Sequence, residues 1–271
     1  MIIDITKCGY QRGYLPREGI GAFHAFFPTA NAAFRKQALK AVGGFDSRCA
    51  TGEDIDLCIR IAEADYELWF EPTARVTHFH RYTLRGLARQ WFQYGYGHAY
   101  LFRKHGAKHR VELYRYDRSE TGGGPFGIAR VLSIPFPIPG MIFLSTYHAM
   151  HLGVMAALVA FGAGAHLVGW SALAAALLFA ARYFGPRFNI GSPLHSLALA
   201  GIRYLADTAY VLGGILGGVT QRMIFLEATF RTRRGAPTRA RAERSDPAAG
   251  GARDSRASGE PLAVGEAPDA T

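Results

Sequence analysis

Gly52-Glu53-Asp54-Ile55-Asp56-Leu57-Cys58-Ile59-Arg60 decides how this chain is read, because it opens a helix with two adjacent acids. Acids favour the first turn of a helix, where the positive end of the macrodipole stabilises their charged form. A carboxylate held there can act as a general base or simply cap the helix. The start signal predicts a helix over Asp54–Ala64, with Asp56 and Arg60 four apart and able to pair on its surface. Ile55, Leu57, Ile59 and Ile61 give no clean helical stripe, so the helix rests on its start and its length. Upstream, Asn31-Ala32-Ala33-Phe34-Arg35 leads into a helix predicted over Phe34–Val42. Gly43-Gly44, ahead of Phe45-Asp46, closes it, since glycine readily takes the left-handed C-cap conformation.

Downstream, Tyr66–Phe70 and Arg75–His80 have the composition of two short strands separated by Glu71-Pro72-Thr73. On a strand, His78 and His80 project from one face. Two such imidazoles can bind a divalent ion, or a half-buried histidine can bond to backbone. From Thr83 to His105, Leu84, Leu87, Trp91, Tyr94, His98 and Leu101 recur every three to four residues and predict an amphipathic helix. Arg85, Arg89, Arg103 and Lys104 make it basic, suited either to a membrane interface or to packing on its own domain. The first thirty residues are broken by Gly9, Gly13, Pro16, Gly19 and Gly21 and show no period.

The apolar residues are unevenly placed along the chain. Residues 1–125 mix charge with aromatics, residues 126–230 are rich in Ala, Leu, Gly, Val and Phe, and residues 231–271 hold no aromatic side chain. That last segment carries eight arginines and six acids and is expected to be a disordered tail. Within the middle segment, Gly140–Ala163 and His166–Phe184 each approach the ~20 residues needed to cross a bilayer. A third apolar stretch, Leu194–Ile224, contains Arg203 and Asp207 and either crosses the membrane or lies on it. The formal charge of +10 is concentrated on both sides of this apolar block, which points to a membrane surface rather than nucleic acid. Three cysteines without metal-ligand spacing fit free thiols in a reducing compartment, and Met1-Ile2-Ile3-Asp4 does not look like a signal peptide.

The order of these parts, from Asn31 through Gly43-Gly44-Phe45-Asp46 and Gly52-Glu53-Asp54 to Arg60 and His78-Phe79-His80-Arg81, resembles the acceptor half of family 2 glycosyltransferases. The resemblance runs from about Thr29 to Gly106. It implies an α/β fold, here a partial glycosyltransferase-A-type domain whose donor-binding half is missing, followed by a helical membrane region. It also implies inverting transfer of a sugar from a nucleotide-sugar donor, with Mg or Mn, to a lipid-linked or glycan acceptor. The expected place is the cytoplasmic face of a bacterial inner membrane. By resemblance Asp54 is the catalytic base with Glu53 and Arg60 as its supports, and His78 is a ligand to metal or diphosphate. Asn31 and Arg35 shape the acceptor edge.

Arg89-Gln90-Trp91 is similar to the glycan-gripping Gln-x-x-Arg-Trp of processive synthases, but its order and spacing differ, which favours transfer of single sugars. Asp54-Ile55-Asp56 has the Asp-x-Asp form, yet it lies in the acceptor-side helix and not after a donor-side strand, so it is not read as the metal site. The implied partners are a nucleotide sugar, the acceptor, the membrane and a separate donor-binding chain, with no nucleic acid. The alternative reading is a non-catalytic membrane module, as a remnant or a subunit.

Overall fold

The computed structural model describes residues 13–14, 28–70, 74, 76–77, 81–106, 108–116, 128–185 and 192–227. Gly13–Tyr14 (β1) pairs antiparallel with Trp69–Phe70 (β2). Between them lie a 3-10 turn at Thr29–Asn31, helix α1 (Lys36–Ala41) and helix α2 (Glu53–Glu63). α1 is shorter than expected, because Arg35 is still extended and serves as its N-cap. Gly43 and Gly44 close it at φ +75° and +72°, as glycine allows. α2 matches its prediction to within one residue and starts from Gly52 at φ +81°. Ile55, Leu57, Cys58, Ile59 and Ile61 are all buried, so most of the helix circumference is covered. A helix covered on several sides shows no single apolar stripe.

Helix α3 (Leu84–His105) follows the predicted period, with Thr83 Oγ1 accepting from the Gly86 N–H at 3.1 Å as its cap. Strands β3 (Arg110–Tyr116), β4 (Ile128–Pro135) and β5 (Gly140–Phe143) come next, then helices α4 (Thr146–Gly162), α5 (His166–Phe184) and α6 (Pro193–Thr220), and strand β6 (Ile224–Glu227). The four later strands form one mixed sheet in the order β4-β3-β5-β6, antiparallel for β3–β4 and parallel for the other two pairs. The described chain is therefore mixed α/β, with six helices and this four-stranded sheet beside the small β1–β2 pair.

One face of the sheet packs on α3. Tyr114, Met141, Phe143, Met223 and Phe225 meet Ala99 and Phe102 in a single core. Phe143 alone, fully buried, contributes roughly 1.5–3 kcal/mol by leaving water. The other side of α3 lies against α6, and glycines bring the two backbones together. A Cβ at Gly95 would fall 2.0 Å from the Tyr210 carbonyl oxygen, and one at Gly213 would fall 2.0 Å from that of Phe92. The contacts advance in step, Phe92 with Gly213 and Tyr96 with Gly217, so the two helices run parallel. Buried Glu227 on β6 accepts from the Tyr210 hydroxyl, and His98 Nδ1 lies 3.1 Å from Glu227 and 2.7 Å from Tyr210, joining α3, α6 and the sheet. The basic helix α3 is thus packed within its own fold.

Several expectations change in the apolar block. Gly140–Phe143 is a β-strand paired on both sides, so the first apolar stretch leaves a helix of only 17 residues. Among the described residues α5 alone is long and apolar enough to cross a membrane, with a mean hydropathy of 1.5. The third apolar stretch is the 28-residue α6 and ends in strand β6. α4 and α5 pack as a helical hairpin, with Gly153 against Ala176, and their outer faces expose Leu158, Val159, Trp170 and Leu178. In the stretch expected to be strand Arg75–His80, Val76 and Thr77 are irregular, and His78 lies outside the described residues. So does the tail from residue 231 onward.

Candidate active site

Asp54 sits in the first turn of α2, and its Oδ1 accepts the Ile55 N–H at 2.9 Å. Burial pushes its carboxyl group above the ordinary aspartate range, and the neighbouring Glu53 adds to that rise. The N–H groups of Ile55, Asp54 itself and Thr29 pull the other way and partly offset it. A carboxylate so placed is more basic than a solvated one, and its backbone donors favour the ionised form. The Thr29 contact brings the Thr29–Asn31 turn to Asp54, and Asn31 Nδ2 donates to the Ala74 carbonyl at 2.9 Å, which ties the rim to the chain after β2. Glu53, Asp54 and the Asn31 turn therefore meet at one place. Arg35 is exposed at the start of α1.

Asp56, two residues on and so on the other side of the helix, faces the interior at 0% exposure. The pairing expected on the helix surface is therefore buried. Arg60 Nη2 lies 2.7 Å and Arg60 Nε 2.9 Å from Asp56 Oδ2, and Arg60 Nη1 donates to the Val42 carbonyl at 2.6 Å. On its other oxygen Asp56 meets Lys104 Nζ at 2.5 Å and His105 Nε2 at 2.7 Å. Burial alone would raise the Asp56 carboxyl group, but His105, Lys104 and Arg60 outweigh it and hold it well below the usual range. Lys104 also bonds Asp46 at 2.8 Å, and Asp46 accepts from Tyr100 at 3.0 Å and from Arg48. Bonds from Arg48 first, and then from Lys104, hold Asp46 low as well. Burial would lower the Lys104 ammonium, yet the two carboxylates keep it above its ordinary value. One lysine thus clamps the loop after α1 and helix α2 to the end of α3.

A second junction lies nearer the acids. Thr51 Oγ1 donates to the Gln93 carbonyl at 2.7 Å, and a Cβ at Gly97 would fall 2.0 Å from that hydroxyl oxygen. Cys49, Ile55 and Ile59 pack beside it against Leu101. Cys49 and Cys58 are buried thiols, and burial pushes that of Cys49 up to about 12. The middle of α3 is therefore the floor on which the start of α2 rests. Arg89, Gln90 and Trp91 lie one turn before this floor. Gln90 Nε2 donates to the Tyr94 hydroxyl at 2.7 Å, Trp91 meets Tyr94 and Tyr210 edge-on, and Arg203 stands 5.9 Å over its ring. Arg89 is exposed, and no hydrogen bond or ion pair among the described residues joins these three to Asp54.

Among the described residues no three His, Cys, Asp or Glu side chains group as metal ligands. Asp56 is occupied by Arg60, Lys104 and His105, so Asp54 and Asp56 do not act as a ligand pair. The residues on view thus do not fit a metal centre. Sequence reading missed Asp46, Tyr100, Lys104 and His105 as parts of the site. Asp46 was visible in its Gly-Gly-Phe-Asp string, whereas nothing local marks Lys104 as turning inward.

The chain belongs to the glycosyl transferase family group 2, whose family model matches residues 15–205. It is 44% identical over 72 residues to the pre-mycofactocin glycosyltransferase of Mycobacterium tuberculosis, covering 26% of this chain and 15% of that one. Over 77 residues it is 38% identical to the succinoglycan biosynthesis protein ExoA of Rhizobium meliloti, covering 28% and 23%. Over 126 residues it is 29% identical to the O-antigen chain rhamnosyltransferase WbaN of Salmonella anatum, covering 44% and 40%. The matched part is thus less than half the length of each relative. No solved structure matches the chain significantly.

Proposed function

We propose that this chain carries the acceptor side of an inverting glycosyltransferase that moves a sugar from a nucleotide donor to a lipid-linked or glycan acceptor at a membrane. The observation that carries the reading is Asp54, raised by burial and by Glu53 and held by backbone donors at the start of α2. As the acceptor hydroxyl attacks the anomeric carbon, Asp54 takes its proton and the nucleoside diphosphate leaves from the opposite face. The inward network of Asp56, Lys104 and Asp46 fixes α2 so that Asp54 points to the rim formed by the Asn31 turn. The relatives' names, which include a rhamnosyltransferase and a succinoglycan biosynthesis protein, support an envelope or extracellular glycan as product. Mg or Mn belongs to this proposal for the complete enzyme, and chelation with EDTA followed by re-addition tests it. No step here is assigned to the ion. The test of the base is Asp54→Asn in the complete enzyme containing this chain. Turnover should fall by roughly two to four orders of magnitude with donor affinity almost unchanged. Near-normal turnover would leave Asp54 a helix cap.

A further inference from the structure

We propose that Thr51 is a positioning residue for Asp54, fixing the place of that carboxylate by seating the loop before α2 on one turn of α3. This role rests on the reading of Asp54 as the base. Thr51 stands three residues ahead of Asp54, and its Oγ1 donates to the Gln93 carbonyl at 2.7 Å. That carbonyl also belongs to the α3 ladder, and its two lone pairs serve both donors. Opposite Thr51, α3 presents Gly97. A Cβ there would fall 2.0 Å from Thr51 Oγ1 and 2.5 Å from the Thr51 carbonyl oxygen, so the loop lies against bare backbone.

The loop is held on both sides of Thr51. Cys49 Sγ donates to the Thr51 carbonyl at 3.3 Å and packs beside Leu101. Gly52 adopts φ +81°, and a Cβ on it would fall 2.6 Å from Leu101 Cδ1. The Gly52 carbonyl then accepts the Asp56 N–H at 2.9 Å, the first hydrogen bond of α2. Asp54 lies between these two residues, so the seat passes directly into the turn that carries it. α3 has no room to yield there, because α6 backs the same turn. A Cβ at Gly95 would fall 2.0 Å from the Tyr210 carbonyl oxygen, and Gly213 stands equally close on Phe92. Residues 92–97 thus act as a backbone spacer between α6 and the loop.

What the seat controls is distance. A methyl group in place of the hydroxyl cannot stay 2.7 Å from the Gln93 oxygen, since carbon approaches oxygen only to about 3.3–3.6 Å. Thr51→Val therefore lifts the loop by roughly half an ångström or more. With α3 backed by α6, the shift falls on the loop and on Asp54. Misplacing a reacting group by about 1 Å can cost on the order of a hundredfold in rate. The bond itself is reached by solvent and adds little to stability. Its loss should therefore be felt in catalysis and hardly in melting.

The experiment compares Thr51→Val, Thr51→Ser and Asp54→Asn in the complete enzyme containing this chain. Thr51→Val should lower kcat by roughly tenfold, with KM for donor and acceptor little changed and the melting temperature held. The acid limb of its pH–rate profile should move down toward the ordinary aspartate range. A lifted loop admits water to Asp54, whose rise comes first from burial. Glu53, the neighbouring charge, is unaltered in both Thr51 variants. Thr51→Ser keeps the hydroxyl and should restore both kcat and the limb. Near-normal kcat in Thr51→Val, an acid limb that stays in place, or a loss that Thr51→Ser does not restore overturns the proposal. A fall in melting temperature that accounts for the lost turnover overturns it as well, since the role would then be structural. Near-normal kcat in Thr51→Val beside an inactive Asp54→Asn removes the seat and keeps the base. A near-normal Asp54→Asn removes the base, and the role of Thr51 goes with it.

Discussion

At the scale of single residues, two aspartates two positions apart are driven in opposite directions by their surroundings. Asp54 is raised by burial and by Glu53, while Asp56 is lowered by its bonds to His105, Lys104 and Arg60, which outweigh its burial. The proposed base should therefore lose activity on the acid side at a pH above that of an ordinary aspartate, near 3.9. A pH–rate profile of the complete enzyme checks this, and an acid limb at or below the ordinary value would contradict the proposed role of burial. For Asp56 the sign is reversed. Its folded-state value is depressed, so its stabilisation is fully present above about pH 4 and is lost as the pH falls below that. Asp56→Asn leaves Arg60, Lys104 and His105 facing a neutral partner and should cost roughly 3–5 kcal/mol. That corresponds to a melting temperature lower by on the order of ten degrees, with a flatter stability profile in acid. A melt unchanged at neutral pH would show that solvent, not Asp56, satisfies these cations.

At the scale of elements, α3 links both halves of the structure, bearing α2 on one side and α6 on another. Gly213→Ala should be costly, because the new methyl group would meet the Phe92 backbone oxygen, which cannot rotate away. Overpacking of this kind costs about 1–3 kcal/mol or more. Gly201→Ala on the same helix meets nothing within 4 Å and should be neutral or stabilising by up to about 1 kcal/mol. Denaturation of the two variants in detergent gives the difference, and equal effects would show that α3 and α6 do not depend on this contact. The elements most legible in the sequence were those with local signals, namely the acids in the first turn of α2, the apolar period of α3 and Gly43-Gly44 after α1. The apolar run from Gly140 was misread because a strand buried between two neighbours is as continuously apolar as the start of a helix. Lys104 was read as part of a basic face because its partners Asp46 and Asp56 come from the loop after α1 and from α2, far back in the sequence. Only the fold brings those carboxylates to it.

At the scale of the whole molecule, the proposed membrane attachment falls to the hairpin of α4 and α5. At 1.5 Å per residue α4 and α5 are about 25 and 28 Å long, close to the roughly 30 Å of a hydrocarbon core. A deficit of a few ångströms is met by local thinning at modest cost. Their outer faces stay apolar and uncovered, while Gly153 and Ala176 seal the seam between them. Lys108, Arg110 and Arg130 precede the hairpin and Arg182 and Arg187 end it, which favours both ends on the cytoplasmic side. We therefore expect the loop after α4 to face outward. Single cysteines at Leu144, Ala163 and Ser192, each in a version lacking Cys8, Cys49 and Cys58, test this with a membrane-impermeant thiol reagent on intact cells. Ala163→Cys should label at once, whereas Leu144→Cys and Ser192→Cys should label only after permeabilisation. Protection of all three would mean that the hairpin lies in the cytoplasmic interface without crossing, and labelling of Ser192→Cys in intact cells would mean that α5 returns the chain to the outer side.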